Sequence, residues 1–112
     1  MKTLLITLML ISSLSIAQTP NETIEKYLHN RDLVLRILGA ADLYIERCDG
    51  LTEAGEQYYA LSMDIHDLSR ESPAEESLYV AGYTMISQHP SCQAMADDFS
   101  NLGIIHFFKV PA

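Results

Sequence analysis

The hydrophobic residues that follow residue 20 recur every three or four positions, which is the spacing of an amphipathic α-helix. The first predicted helix has Asn21 as its cap and runs to about Arg47, with a polar cluster at residues 29–32 where it can fray or restart. Asp49-Gly50 closes it, because glycine readily takes the left-handed backbone that ends many helices. The predicted inner positions are Ile24, Leu28, Arg31, Leu35, Leu38, Asp42 and Ile45.

A second helix is predicted to begin at the cap residue Thr52 and to end near Arg70. Glu53 and Glu56 lie in its first turn, where they suit the positive end of the helix dipole. The predicted inner stripe of this helix consists of Ala54, Tyr58, Leu61, Ile65 and Leu68.

Two more helices follow. Residues 72–75 combine a serine cap, a proline at the first helical position and a glutamate three residues after the cap. Residues 78–86 are apolar nearly all round, which favours a central position, and Pro90 ends this helix. Ser91 caps a shorter fourth helix that Gly103 terminates. Its inner face is predicted to hold Cys92, Met95, Phe99 and Leu102. The pattern predicts an all-α fold, specifically a small four-helix up-down bundle.

The first residues predict a secretory signal peptide. Lys2 precedes an apolar run at residues 4–11, and the small residues Ser15 and Ala17 form a cleavage site. The run is shorter than the roughly 20 residues of a transmembrane helix. We therefore expect residues 1–17 to be removed, and residues 18–112 to form one exported helical domain, in the periplasm or otherwise secreted.

Cys48 and Cys92 are the two cysteines of the chain. In an exported protein such a pair predicts a disulfide. In up-down topology the end of the first helix and the start of the fourth lie at the same pole, and the two cysteines occupy those places. A disulfide that closes a loop of this length contributes about 4 kcal/mol in the chain-entropy account. Topology and cysteine placement therefore agree.

The last ten residues, GIIHFFKVPA, are largely apolar and follow the last predicted helix. About nine extended residues reach roughly 30 Å, enough to run back along the bundle. We predict an extended tail whose Ile104, Phe107 and Val110 fill a groove. Ile105 and Phe108 then point to the other side. The alternative is that the tail is an exposed edge for a partner or for a homodimer.

The charge of the chain narrows its possible partners. After removal of the signal peptide, six basic and fifteen acidic residues remain, a net charge of −9 with histidine neutral. This charge repels phosphates and favours a basic protein partner. We therefore expect no nucleic-acid binding and no membrane insertion after signal cleavage. Asn21-Glu22-Thr23 fits the N-glycosylation pattern, which leaves secretion by a eukaryote open.

Catalytic and metal chemistry have weak signals. His89, Cys92 and Cys48 have a spacing compatible with zinc, and Asp49 or His66 is a candidate fourth ligand. Export favours the disulfide instead, and the same disulfide conflicts with a cysteine nucleophile at Cys92. No phosphate loop, nucleophile elbow, zinc-helix motif or calcium loop occurs. We predict a protein without enzymatic activity, metal or cofactor.

The candidate partner-binding residues are aromatic, acidic or part of the tail: Tyr58, Tyr59, Asp64, Asp67, Ile105 and Phe108. Tyrosine combines an apolar ring with a polar tip and is common in interfaces. The pair Tyr79 and Tyr83, four residues apart on one predicted helix, is a further candidate. The competing interpretation assigns the tyrosines to the edge of the core and the aspartates to a solvated helix face.

This layout of signal peptide, small size, helices and paired cysteines resembles two groups of small periplasmic proteins. One comprises the immunity proteins that neutralise cell-wall amidases delivered by type VI secretion, and the other the Hde-type acid chaperones. No motif matches residue by residue, so no functional residue is carried over. The first resemblance implies a binding or inhibitor protein. The second implies an acid-responsive chaperone whose charge swings from −9 to about +10 once all its carboxylates and histidines are protonated.

Overall fold

The computed structural model describes residues 20–70 and 72–111, including all side chains in that range except those of residues 20–23 and 69. The predicted signal peptide lies outside the described residues. The α-helices are α1 (Pro20–Leu28), α2 (Arg31–Arg47), α3 (Glu53–Ile65), α4 (Ser77–Ser87) and α5 (Cys92–Leu102). Short 3-10 turns span Leu68–Arg70, Pro73–Glu75 and Ile105–Phe107. The all-α prediction is confirmed.

The first predicted helix is two helices. The polar cluster interrupts it, and α2 restarts with Asn30 as its cap, whose side chain accepts a hydrogen bond from the Leu33 backbone N–H at 3.2 Å. Asn21, predicted as the cap, lies inside α1. The Asn30 side chain forms a hydrogen bond with a nearby backbone N–H, and this bond competes with the backbone hydrogen bonds of a continuous helix. The chain therefore ends one helix and starts another at this residue.

The central helix is α2, and the prediction that the apolar segment 78–86 is central is wrong. The buried residues of α2 are Val34, Leu35, Ile37, Leu38, Gly39, Ala40, Ala41, Leu43 and Tyr44. In contrast, α4 buries Tyr79, Gly82 and Ile86, while its apolar residues Val80 and Met85 are each 47% exposed. Apolar composition could not distinguish these helices, because burial depends on which neighbours pack against each face.

Helices α2 and α4 cross at two glycines. A Cβ added to Gly39 would lie 2.9 Å from the Tyr83 nitrogen and would clash with the Tyr79 carbonyl oxygen. A Cβ added to Gly82 would lie 2.9 Å from the Arg36 Cα and would clash with its carbonyl oxygen. The backbones therefore touch in both directions, and this contact sets the register of α4 on α2.

The chain turns sharply after α3. Thr52 caps this helix as predicted, its hydroxyl accepting a hydrogen bond from the Gly55 N–H at 3.1 Å. The helix ends at Ile65 rather than near Arg70, and Asp67 takes a left-handed backbone with φ 56°. Ile65 is 47% exposed and not part of the core, whereas Leu68 is fully buried. The end of the helix at this point changes the direction of the chain. The predicted helical stripe, which assumed one continuous helix, therefore could not place both Ile65 and Leu68 correctly.

The fourth predicted helix and the disulfide are confirmed, but Leu102, predicted on the inner face of this helix, is 52% exposed. Ser91 caps α5 by accepting from the Ala94 N–H at 3.1 Å, and Gly103 ends it with φ 80°. A disulfide joins Cys48, just after α2, to Cys92, the first residue of α5, with their Cα atoms 5.8 Å apart. No helix in the described part of the chain is long and apolar enough to cross a membrane.

The tail turns back and packs into the core. The Lys109 N–H donates to the Gly50 carbonyl at 2.9 Å, and the Thr52 N–H donates to the Phe107 carbonyl at 3.1 Å. The Phe108 ring stacks on Phe99, with ring centroids 3.7 Å apart. These contacts place the tail between the loop after α2 and the start of α3.

The alternation predicted for the tail is wrong. The turn at residues 105–107 points Phe107 and Phe108 inward together, and each is 1% exposed. Val110, predicted to fill a groove, is 57% exposed, and Ile105 is half-buried. Ile104 is buried as predicted. A 3-10 turn breaks the two-residue period of an extended chain, which the prediction assumed.

We expect Phe108→Ala to lower the free energy of unfolding by about 3–5 kcal/mol, because it removes a fully buried ring from the core. The control Val110→Ala changes an exposed residue two positions away and should stay within about 0.5 kcal/mol. Urea denaturation of both variants measures the difference. Equal effects of the two changes would contradict the packing of the tail.

Reduction of the Cys48–Cys92 disulfide should lower the free energy of unfolding by about 2–4 kcal/mol, since it releases a constraint on the unfolded chain. Denaturation with and without a thiol reductant gives the difference. The double variant Cys48→Ser, Cys92→Ser is the control, because its stability should not respond to the reductant.

Candidate protein-binding face

The structure does not bring the predicted partner-binding residues to one surface. Tyr58 and Phe108 are buried, at 2% and 1% exposure, so neither side chain is available to a partner. Tyr58 stacks on Phe107 with ring centroids 4.5 Å apart. Asp64 and Asp67 are exposed near the end of α3. The Asp67 carboxylate forms a solvent-exposed ion pair with Arg70 at 3.4 Å. Of the predicted set, Tyr59 alone joins the surface that follows.

A different surface combines tyrosines with carboxylates. Asp42, Ile45 and Glu46 follow helical spacing on α2 and therefore share one side of it. Helix α3 adds a tyrosine on one side of these residues, and helix α4 adds tyrosines on the other side. We call this surface the tyrosine–carboxylate face, and its residues are Asp42, Ile45, Glu46, Tyr59, Tyr79, Val80 and Tyr83.

Asp42 is the centre of this face. The Tyr59 hydroxyl of α3 donates a hydrogen bond to Asp42 Oδ1 at 2.8 Å. The Tyr79 hydroxyl of α4 donates to Asp42 Oδ2. One carboxylate of α2 therefore holds a tyrosine from each neighbouring helix, and each of its oxygens has a donor. Hydrogen bonds to a charged acceptor are stronger than neutral ones, so this arrangement fixes both rings.

The second carboxylate, Glu46, lies one helical turn further along α2. Its interaction with the Tyr83 hydroxyl raises the pKa of that phenol. The Tyr79 and Tyr83 rings lie nearly parallel, at 21°, with their centroids 6.5 Å apart. Together with Ala74 and Val80, these two rings line a surface cleft of about 250 Å³. The cleft has an aromatic floor with carboxylates beside it.

A second cleft continues the face between α2 and α3. It has a volume of about 320 Å³. The residues that line it are Asp42, Ile45, Leu51, Glu56, Tyr59 and Ala60. Ile45 is 48% exposed. The face therefore offers exposed apolar atoms next to two carboxylates, which is the composition of a surface that buries apolar groups and pairs with cations.

The carboxylates and the burial raise tyrosine pKa values on this face. For Tyr59 and Tyr79, burial is the first cause, and the hydrogen bond to Asp42 and its negative charge add to it, so each pKa is raised well above 10.0. For Tyr83 the hydrogen bond to Glu46 is the first cause of a raised pKa. All three phenols therefore stay neutral donors at any physiological pH.

The zinc arrangement considered from the sequence has no thiolates. Both sulfur atoms are in the disulfide, and the His89 ring nitrogen Nε2 lies 3.0 Å from Asp98 Oδ2. Among the residues that the structure describes, no group of three or more His, Cys, Asp or Glu side chains is placed to hold a metal ion.

No protein-family model matches this chain, and no match was found among the curated proteins or the solved structures.

Sequence reasoning missed this face although two signals were present. Asp42 falls in the predicted inner stripe of its helix, where a carboxylate needs hydrogen-bond donors. Tyr79 and Tyr83, spaced four apart, were a candidate pair. What the sequence lacked was the position of α3 and α4 on either side of Asp42. A search for donors that can satisfy a semi-buried carboxylate would have pointed to the tyrosines.

Alkaline pH should destabilise the protein. A tyrosine with a raised pKa in the folded state holds its proton more tightly than in the unfolded chain, where the pKa is about 10. The stabilisation from Tyr59 and Tyr79 is thus complete below pH about 10 and is lost as the pH rises above it. We expect a lower urea midpoint at about pH 11 than at about pH 8.

The double variant Tyr59→Phe, Tyr79→Phe is the comparison for this experiment. It lacks both phenols, so its stability should fall less between these two pH values than that of the unchanged protein. Tyrosinate absorbance in the ultraviolet reports ionisation directly. An equal fall in both proteins would show that these phenols do not carry the effect.

Proposed function

We propose that this chain is an exported, non-catalytic binding protein that neutralises a basic protein partner through the tyrosine–carboxylate face. The single observation that carries the proposal is Asp42, which holds Tyr59 and Tyr79 in place on an acidic surface. This is the inhibitor function of an immunity-type protein. The partner is a protein with lysine or arginine side chains on its contact surface.

The chemistry of the face supports this choice of partner. Tyrosine rings offer a large contact area and lose little entropy on binding, all the more when hydrogen bonds already fix them. Glu46 is exposed beside these rings, and Asp42 and Glu56 line the adjoining cleft. A basic side chain inserted there would meet both a ring face and a carboxylate. The net charge, −8 for the whole sequence and −9 after the predicted signal cleavage, speeds approach of a positively charged protein.

We also propose that the scaffold is a four-helix up-down bundle formed by α2, α3, α4 and α5. The disulfide between the end of α2 and the start of α5 supports this, as do the short connections after α2 and α4. A scaffold of this kind holds the two clefts of the face in fixed positions. A binding protein with a fixed surface gains affinity because less freedom is lost on association.

The acid-responsive chaperone has less support. In that hypothesis the apolar tail offers a surface to unfolded clients. Ile104, Phe107 and Phe108 are buried within the chain itself, at 5%, 1% and 1% exposure. The remaining support is the charge swing at low pH, which an acidic protein of almost any function shares.

The test is affinity capture from an envelope extract, followed by measurement of Kd with the purified partner. We expect one partner whose binding weakens at high salt, because exposed charges contribute to it. Tyr83→Ala should raise Kd about tenfold or more, as removal of an interface tyrosine commonly does. Glu46→Lys should raise Kd by a similar factor and slow association.

The matched control is Asp97→Lys, which makes the same change of charge on an exposed residue of α5, outside the face. It should leave Kd nearly unchanged. If Asp97→Lys and Glu46→Lys weaken binding equally, the total charge rather than the face is responsible, and the proposed site is wrong.

A further inference from the structure

A separate apolar groove lies on the opposite side of α2. It has a volume of about 260 Å³ and is bounded by α1, α2, α4, α5 and the tail residue Ile104. Ile37 and Phe99 in its lining are buried, at 4% and 0% exposure. Met85 and Leu102, also in the lining, are 47% and 52% exposed and form its rim. The groove is therefore open to solvent above an apolar floor.

Helical geometry makes this groove independent of the tyrosine–carboxylate face. Arg36 lines the groove, and Ile45 belongs to the face. They are nine residues apart on α2, which corresponds to a rotation of about 900°, or half a turn beyond two full turns. The two surfaces therefore lie on opposite sides of one helix, and a ligand in one does not cover the other.

The charge of the groove differs from that of the rest of the protein. Asp42 and Glu56 line the cleft on the other side of α2, but none of the described residues that line the groove is acidic. Arg36 is its charged lining residue, and this side chain is exposed. The stem of such an arginine covers apolar surface while its guanidinium reaches water at the rim. Lys26 adds a second cation nearby, 5.5 Å from the centre of the Tyr27 ring, and Tyr27 also lines the groove.

We propose that this groove binds a medium-chain fatty acid. The hydrocarbon chain lies on the apolar floor, and the carboxylate pairs with the Arg36 guanidinium. This pairing satisfies an arginine that a neutral ligand would leave in water, and guanidinium binds carboxylate in a favourable two-bond geometry. The site adds a small-molecule ligand to the proposed protein-binding function and does not depend on it.

Size and charge favour this occupant over two others. The volume of about 260 Å³ is slightly below the usual range of ligand pockets, which begins near 300 Å³, so a whole membrane lipid is too large. A second copy of this chain would bring another strongly negative net charge, −8 for the whole sequence, into contact, and the resulting repulsion opposes association. A small amphipathic anion needs one cation and an apolar floor, both of which are present.

The experiment titrates the full exported chain with sodium decanoate, with decanol and decyltrimethylammonium as neutral and cationic probes of the same chain length. Calorimetry measures affinity, and the methyl NMR signal of Met85 reports occupation of the groove. We expect decanoate to bind most tightly and to shift the Met85 signal. Arg36→Gln should weaken decanoate binding about tenfold and leave decanol binding unchanged.

Two further variants make the result specific. Arg70→Gln removes the same charge from an exposed arginine that pairs with Asp67, and it should leave decanoate binding unchanged. Leu102→Glu places a carboxylate on the exposed rim, where folding tolerates it, and should abolish binding by repulsion. Circular dichroism checks that both variants keep the helical fold.

Any of the following outcomes would overturn the proposal. The first is absence of decanoate binding up to about 1 mM. The second is equal affinity for the three probes. An equal effect of Arg36→Gln and Arg70→Gln counts in the same way, because either result shows that Arg36 does not pair with the carboxylate. The third is sedimentation equilibrium that shows a dimer disrupted by Leu102→Glu, which would assign the groove to a second copy. None of these outcomes bears on partner binding by the tyrosine–carboxylate face.

Discussion

The backbone contact between α2 and α4 is the constraint on which both candidate sites depend. Gly39 and Gly82 let the two helices approach until carbonyl oxygens occupy the space of a missing Cβ. At that separation Tyr79 reaches Asp42 on one side of the crossing. On the other side, Met85 of α4 and Arg36 of α2 both line the groove. A wider crossing would separate both pairs.

The tail completes the core that supports this crossing. Phe108 lies against both Tyr44 of α2 and Phe99 of α5, with centroid distances of 5.4 and 3.7 Å. The Tyr44 hydroxyl donates to the Lys109 carbonyl at 2.5 Å, so the central helix also binds the tail by a polar contact. The disulfide joins α2 and α5 close to this point. In a domain of this size, these long-range contacts are a large share of what opposes chain entropy.

The two surfaces of α2 differ in the chemistry that they offer. The tyrosine–carboxylate face combines fixed phenol rings with negative charge, which suits a basic protein. The groove combines an apolar floor with arginine, which suits a small amphipathic anion. Although α2 is buried along most of its length, its two opposite sides are each exposed in a different gap between the neighbouring helices. One helix can therefore contribute residues to both surfaces. The division of charge between the two sides is the main reason to treat them as separate sites.

The sequence by itself determined the helical class, three of the caps or stops and the disulfide. Thr52, Ser91 and Gly103 act within a few residues of themselves, so their roles follow from local sequence. The pairing of Cys48 with Cys92 follows from their even number and from their places at the ends of predicted helices. Tertiary structure alone decided that α2 rather than α4 is central, that the tail turns Phe108 inward, and that Asp42 meets two tyrosines. These features depend on contacts between distant segments, and apolar or acidic composition in one segment does not specify which neighbour will cover it.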